Sequence, residues 1–420
     1  MVGAAGDSFL PDTAKKIAVN DKLSFIFCRD QSSAVTVLKI FFKGGKRAEP
    51  AGKRGLAYIT AGLCVASPDA AIAGKLMHSG AVSYAEVEED YVLITIKCLS
   101  DNLEETLKIL SGIMKKPLFS GLRINNMKRG LKNRQKGETE DPLQLMNLTA
   151  LNAFFAGNTY GGSVYGGAAS LKAIKRKDVT GFYKKYFNAA GMVVSISSDL
   201  EESRVKDITG KYFSGFPAGG TAPLTKVEAS LPKKKEFFFE KEKEQTLICL
   251  TALLPGFSPG DFVRAYVLEN LLGKGIGSRL WRLRMEQKLA YDLDAVFTQL
   301  QDGGLLKIYL STGNEKKETA YRALKTLLGE LHEQGLGEDE FEVAKVHAKS
   351  DFLRLNEEKE RRALYHGYFE LMGIGFGFVG DFFTALDRLT LMEMNAYIKR
   401  VLNPGGLAEI IIGPKLGKVK

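Results

Sequence analysis

The feature that most constrains the fold of this 420-residue chain is that the chain repeats itself. Leu171, Phe182 and Asn188 recur as Leu386, Tyr397 and Asn403, at a constant offset of 215 residues. The run Asn188-Ala189-Ala190-Gly191 answers Asn403-Pro404-Gly405-Gly406, and each copy then enters an apolar stretch, 192–196 and 407–412. Earlier in each half Ala57-Tyr58 pairs with Ala265-Tyr266 at offset 208, and Glu105-Thr106 with Glu318-Thr319 at offset 213. A drift of a few residues is what loop insertions produce, so the halves read as two copies of one fold.

Each copy has the same order of elements. Two β-rich segments come first, 23–27 and 34–42, then 236–239 and 246–254. A helix follows, near 55–65 and near 261–272. Two strands come next, 82–87 with 91–97 and 291–297 with 304–311, rich in β-branched and aromatic residues. Apolar residues then recur at helical spacing, as in Leu103, Leu107, Leu110 and Met114, or Ala320, Ala323, Leu327 and Leu331. The expected class is α+β, two homologous domains each with a β-sheet packed against helices. Pro217, Gly219, Gly220, Pro223 and Pro232 cluster as linker punctuation. They put the domains at 1–218 and 219–420.

Composition narrows the class. With 45% hydrophobic and 26% charged residues the chain has the balance of a globular protein. No apolar run approaches the roughly 18–20 residues of a membrane span. The first residues lack the basic-then-apolar order of a signal peptide. The expectation is a cytoplasmic location as the sequence stands, or a periplasmic one if a leader has been removed. Cys28, Cys64, Cys98 and Cys249 are widely spaced in apolar stretches, which predicts buried free thiols. The net charge of +10 invites an acidic partner. Its basic clusters are short, Lys233-Lys234-Lys235 in the linker and Lys415, Lys418 and Lys420 at the end, with the densest run at 123–136. No recognition motif accompanies them, so nucleic acid is not expected.

Catalytic chemistry is incomplete. A metallopeptidase helix needs two imidazoles on one face with a carboxylate nearby. His78, His332, His347 and His366 are isolated from one another. His347 with Asp351 and His366 with Glu370 stand four apart and read as polar pairs, not ligands. No G-x-S-x-G elbow occurs, and Gly273, Gly275 and Gly277 lack the Gly-Lys-Ser/Thr ending of a phosphate loop.

The stretch Gly44-Gly45-Lys46-Arg47-Ala48-Glu49-Pro50-Ala51-Gly52-Lys53-Arg54-Gly55-Leu56-Ala57 resembles the lead-in to the metal helix of the pitrilysin-like (insulinase and processing-peptidase) zinc peptidases. Active members continue with H-x-x-E-H. This chain continues with Tyr58-Ile59-Thr60-Ala61-Gly62, so both histidine positions and the glutamate are replaced. The third ligand position of the family falls near Asn133. The resemblance implies a degenerate former metal site at Tyr58, Ala61, Gly62 and Asn133, and no cofactor in this chain. In the second half, Ser278-Arg279-Leu280 through Arg284 to Leu289-Ala290-Tyr291 is similar to the family's S-R-L helix and L-A-Y strand. There the family places an Arg and a Tyr seven residues apart against peptide substrate. Taken alone, Tyr291 reads as a strand aromatic and Arg284 as a helix-end cation. With Ser278, Arg279, Leu280, Leu289 and Ala290 also in place, the substrate-contacting reading is preferred, and Arg279 is expected to be structural.

The resemblance implies the processing-peptidase type of metallohydrolase fold, which LuxS-like enzymes share. It further implies a non-catalytic subunit of a heterodimeric zinc endopeptidase that degrades or processes peptides. A homologous H-x-x-E-H partner would carry the zinc, and this chain would supply Arg284 and Tyr291. The competing expectation is a structural scaffold or assembly protein of the same fold with no peptidase activity.

Overall fold

The computed structural model describes residues 14–20, 23–220, 222–232 and 234–414. The first thirteen residues, Lys233 and the terminal Lys415, Lys418 and Lys420 lie outside the described residues. Two compact units divide the chain.

The first unit comprises residues up to Gln135 with Ser163–Thr225 and Leu353–Asp381. Its sheet has six strands, β1 (Lys15–Asn20), β2 (Leu23–Arg29), β3 (Val35–Lys43), β4 (Val82–Val87), β5 (Tyr91–Leu99) and β6 (Met192–Ser198). They lie in the order β1-β2-β6-β3-β5-β4, antiparallel except for β2 with β6. Helices α1 (Leu56–Val65), α2 (Ala70–His78) and α3 (Leu103–Lys115) follow their strands. The chain continues through α4 (Gly121–Glu140), α5 (Pro142–Phe155), α6 (Ala168–Ala173), α7 (Arg176–Tyr186) and α8 (Glu202–Phe213).

The second unit comprises Lys136–Gly162, Lys226–Phe352 and the residues from Phe382 onward. Its strands are β7 (Glu236–Glu240), β8 (Gln245–Leu254), β9 (Asp292–Leu300), β10 (Gly303–Gly313) and β11 (Ala408–Gly413). They lie in the order β7-β11-β8-β10-β9. Strand for strand this repeats β2-β6-β3-β5-β4, with β11 parallel to β7 as β6 is to β2. The helices of this part of the chain are α9 (Pro259–Gly273), α10 (Arg279–Met285), α11 (Lys317–Gln334), α12 (Glu338–Glu357), α13 (Lys359–Leu371), α14 (Phe378–Arg388) and α15 (Leu391–Val401). The α+β architecture with two like domains therefore stands.

The units are interleaved, and a cut at 218/219 would divide both. Strand β3 is buried almost end to end because both its faces are covered. Leu38, Ile40 and Phe42 point into the main core, while Phe41 and Leu93 meet Leu371 of α13. Gly367 allows this close approach, since a Cβ there would come within 2.2 Å of the Phe41 ring. Lys39, buried on β3, donates to Glu360 of α13 at 2.8 Å, and Arg362 pairs with Asp30 at 3.0 Å. In the second unit α5 plays the same part. Its Leu145, Met146, Ala150 and Phe154 pack on Leu247, Cys249, Leu305, Ile410 and Ile412. A helix from each half of the chain thus covers the sheet built by the other half's strands. All four cysteines are buried and free, as their apolar surroundings predict.

Candidate functional site

The first candidate region is the N-terminal part of α1. Its approach is held by buried ion pairs, Lys46 to Glu89 at 2.9 Å and Arg47 to Asp90 at 2.7 Å. Gly55 precedes the helix at φ +93°, and a Cβ there would come within 2.8 Å of the Tyr165 carbonyl. The buried Glu49 carboxylate accepts from the Ala57 N–H at 2.8 Å, tying down one of the helix's first donors.

At the motif positions the side chains are spent on packing. Tyr58 is half-buried, with the Arg134 guanidinium 5.4 Å from its ring centre and Tyr165 edge-on at 5.5 Å. Burial raises its phenol above the usual tyrosine value. Ala61 is buried, and a Cβ on Gly62 would come within 2.4 Å of the Met127 methyl. Asn133 is exposed on α4, and its neighbour Arg134 is the residue that reaches α1. An alanine and a glycine offer no donors, and a guanidinium beside the phenol repels a dication. These residues do not fit zinc.

The second candidate region is α10 and its turn into β9. Arg279 makes a two-pronged ion pair with Glu340 of α12, Nε and Nη2 both at 2.8 Å, which is the structural part expected of it. Leu280 and Leu283 are buried beneath the helix. The turn is fixed by Lys288 at φ +53°, the one non-glycine residue with positive φ among the described residues. The Leu289 N–H closes it on the Leu283 carbonyl at 3.0 Å, with Leu289 and Ala290 buried. The Tyr291 N–H then bonds the Ser311 carbonyl at 2.9 Å, anchoring the start of β9.

Arg284 and Tyr291 bracket this turn and are both exposed, as are Arg282, Met285, Glu286, Gln287 and Lys288 between and beside them. Arg284 is exposed in the last turn of α10, its guanidinium 5.2 Å from the Trp281 ring centre. Tyr291 is 62% exposed. Neither pairs with a carboxylate, and no hydrogen bond joins them among the described residues.

A third cluster escaped sequence reading although its signal was present. Extending the 208-residue offset from Tyr58, Ala61 and Gly62 leads to Tyr266, Glu269 and Asn270 on α9. These share a helix face and are at least nine-tenths buried. The Tyr266 hydroxyl donates to Asp351 at 2.7 Å, Asn270 donates back to the Tyr266 carbonyl at 3.0 Å, and Glu269 accepts from the Phe297 N–H at 3.3 Å. Burial pushes the Glu269 carboxyl up to about 7, against the pull of Lys274. Among the described residues no group of three or more His, Cys, Asp or Glu side chains is arranged to hold a metal ion.

Two family models match the chain in series. Residues 25–167 match the insulinase family, peptidase family M16, and residues 173–346 match the peptidase M16 inactive domain. The chain belongs to peptidase family M16. Within it the chain is a non-catalytic, pitrilysin-like member, carrying Tyr58, Ala61 and Gly62 where the metal motif would stand. An uncharacterised zinc protease of Rickettsia felis is 24% identical over 272 residues, covering 62% of this chain and 63% of that protein. The match thus spans a little under two thirds of that relative. The peptidase M16 inactive domain from Pseudomonas fluorescens superposes with a TM-score of 0.84 at 20% identity, covering 97% of this chain and 99% of that one. A protease from Helicobacter pylori gives 0.84 at 18% identity, covering 96% and 100%. These likenesses establish the M16 fold.

Proposed function

We propose that this chain is the substrate-binding, non-catalytic subunit of a two-chain zinc endopeptidase acting on unfolded peptides. The observation that carries the proposal is the contrast within one stretch. From Ser278 to Tyr291, Leu280, Leu283, Leu289 and Ala290 are buried and Arg279 is paired, while Arg284 and Tyr291, among several exposed residues of the turn, flank it on either side and have no acidic partner among the described residues. An exposed guanidinium, here resting on the Trp281 ring, suits peptide carbonyls or a carboxylate, and an exposed phenol can donate to a developing oxyanion. The match of residues 173–346 to the family's inactive domain supports a part that completes another chain's site. Zinc and the general base would come from a homologous partner carrying H-x-x-E-H.

The test is reconstitution. The purified chain is mixed with an H-x-x-E-H homologue from the same genome, and cleavage of a fluorogenic peptide is followed. The proposal predicts activity that neither chain has alone. It also predicts a fall of about 10²-fold in kcat/KM for Tyr291→Phe, in the range seen when one oxyanion donor is lost. Arg284→Ala should act mainly through KM. A complex that forms but cleaves nothing would favour a scaffold role, and unchanged activity in both variants would remove these residues from the site.

A further inference from the structure

The first unit concentrates positive charge beside the former motif. Two lysines from different segments converge on the link between α6 and α7. Lys128 of α4 donates to the Ile174 carbonyl at 2.7 Å, and Lys53, just before α1, donates to Asp178 at 2.8 Å. The link is itself cationic, with Lys172, Lys175, Arg176 and Lys177 all exposed and no acidic residue between 171 and 177. Lys132, one turn along α4 from Lys128, is also exposed.

That places seven cations around one carboxylate, Asp178. This carboxylate is already engaged by Lys53 and by the Lys175 N–H. Among the described residues Lys132, Lys172, Lys175, Arg176 and Lys177 have no ion-pair partner. The crowding is felt at Lys128. Burial lowers its pKa first, and the charges of Lys175, Lys53 and Lys132 lower it further, with Asp178 opposing. A one-sign cluster of this kind focuses potential outward and raises the local concentration of anions.

The neighbouring rings decide against nucleic acid. Single-strand binders present aromatic platforms for stacking. Here Tyr58 and Tyr165 are engaged edge-to-face with one another, and Arg134 covers Tyr58. Through Arg134 the patch adjoins α1, the helix on which active relatives carry their metal motif. We propose that the α4 and α6–α7 face of the first unit binds acidic segments of unfolded peptide. This inference deepens the substrate-binding reading above and rests on it for the identity of the ligand as peptide.

The experiment uses the full chain alone, without a partner peptidase. Binding of a fluorescein-labelled Glu/Gly/Ser peptide is followed by anisotropy, beside a Lys/Gly/Ser peptide and a DNA single strand of equal charge. The acidic peptide should bind, with affinity falling about tenfold or more between about 50 and about 200 mM salt. The variant Lys132→Glu/Lys175→Glu/Lys177→Glu changes exposed side chains and should weaken binding by about tenfold or more. A control with the same change in net charge, Lys235→Glu/Lys243→Glu/Lys399→Glu, alters exposed lysines of the second unit and should have little effect. Equal weakening by the control, or a DNA strand bound as tightly as the acidic peptide, would overturn the proposal. Because the reconstitution assay reads Arg284 and Tyr291 and this one does not, either reading can fail alone.

Discussion

Helices α1 and α9 hold the same place in their units, each beside the edge strand of its sheet, β4 and β9. They have been filled in opposite ways. On α1 the positions Tyr58, Ala61 and Gly62 are occupied by ring, methyl and space, and Met127 and Arg134 close over them. On α9 the matching positions keep polar side chains, Tyr266, Glu269 and Asn270, and turn them inward onto Asp351 and the Phe297 N–H. Neither helix presents a pair of metal ligands. Equivalent positions on two like helices can thus be satisfied by apolar packing in one unit and by buried hydrogen bonds in the other. The first unit fills these positions with apolar packing, and the second holds a buried, hydrogen-bonded polar set.

The largest expected effect comes from Glu269. Its carboxyl titrates near 7 in the folded chain, against an ordinary value near 4.5. The unfolded chain therefore gives up this proton first as pH rises from about 4.5 to about 7. The folded state loses stability across that window, by roughly 3 kcal/mol in total. Glu269→Gln should remove this slope. Thermal unfolding of variant and parent should nearly coincide at acid pH and diverge in the variant's favour toward pH 8. Parallel curves at all pH values would mean that the carboxyl is not buried as described.

A graft sharpens the comparison from the other side. Tyr58→His/Ala61→Glu/Gly62→His restores the motif letters on α1, yet Met127 and Arg134 remain. We expect no stoichiometric zinc by atomic absorption and a stability loss of about 1–3 kcal/mol from overpacking against Met127. Adding Met127→Ala and Arg134→Glu relieves the clash at position 62, removes the repelling cation and supplies a carboxylate, and zinc retention should then appear. Zinc bound fully by the triple graft would show that the donor letters alone were missing.

The smallest effect distinguishes two tyrosines of the second unit. Tyr266→Phe removes the buried hydroxyl that donates to the half-buried Asp351 and should cost about 1–2 kcal/mol. Tyr291→Phe removes an exposed hydroxyl and should stay within about 0.5 kcal/mol. Equal costs would erase the division between structural and open residues.

Much of this fold was legible because period and packing agree. β-branched and aromatic runs placed β3, β5, β8 and β10, and helical stripes placed α3 and α11. The 215-residue offset between Asn188 and Asn403 anticipated that one strand order would serve both units. The exchange of α5 and α13 was not legible. An apolar helix face specifies that it is covered, not by which sheet, and nothing local in Leu364, Tyr368 and Leu371 names Phe41 as their neighbour. At the site, Tyr58, Ala61 and Gly62 could be read position by position from a motif of fixed spacing. Asn133 could not be fixed as closely, because its distance from α1 runs through loops of variable length; it lies exposed on α4, next to Arg134, whose guanidinium stands over the Tyr58 ring. The α9 cluster was missed because its matching letters are spread over a helix and a distant Asp351.

The central proposal is that Arg284 and Tyr291 face the peptide substrate beside the partner's zinc, while the α1 motif positions hold no metal. Photo-cross-linking tests it most directly. Benzoylphenylalanine is placed at Tyr291 and, as a control, at Met392, an exposed position on α15. Both proteins are irradiated with a labelled unfolded peptide in the presence of the H-x-x-E-H partner. The account predicts label attached through position 291 and little through 392. Label at both positions alike, or cross-linking of position 291 only to the partner chain, would contradict it.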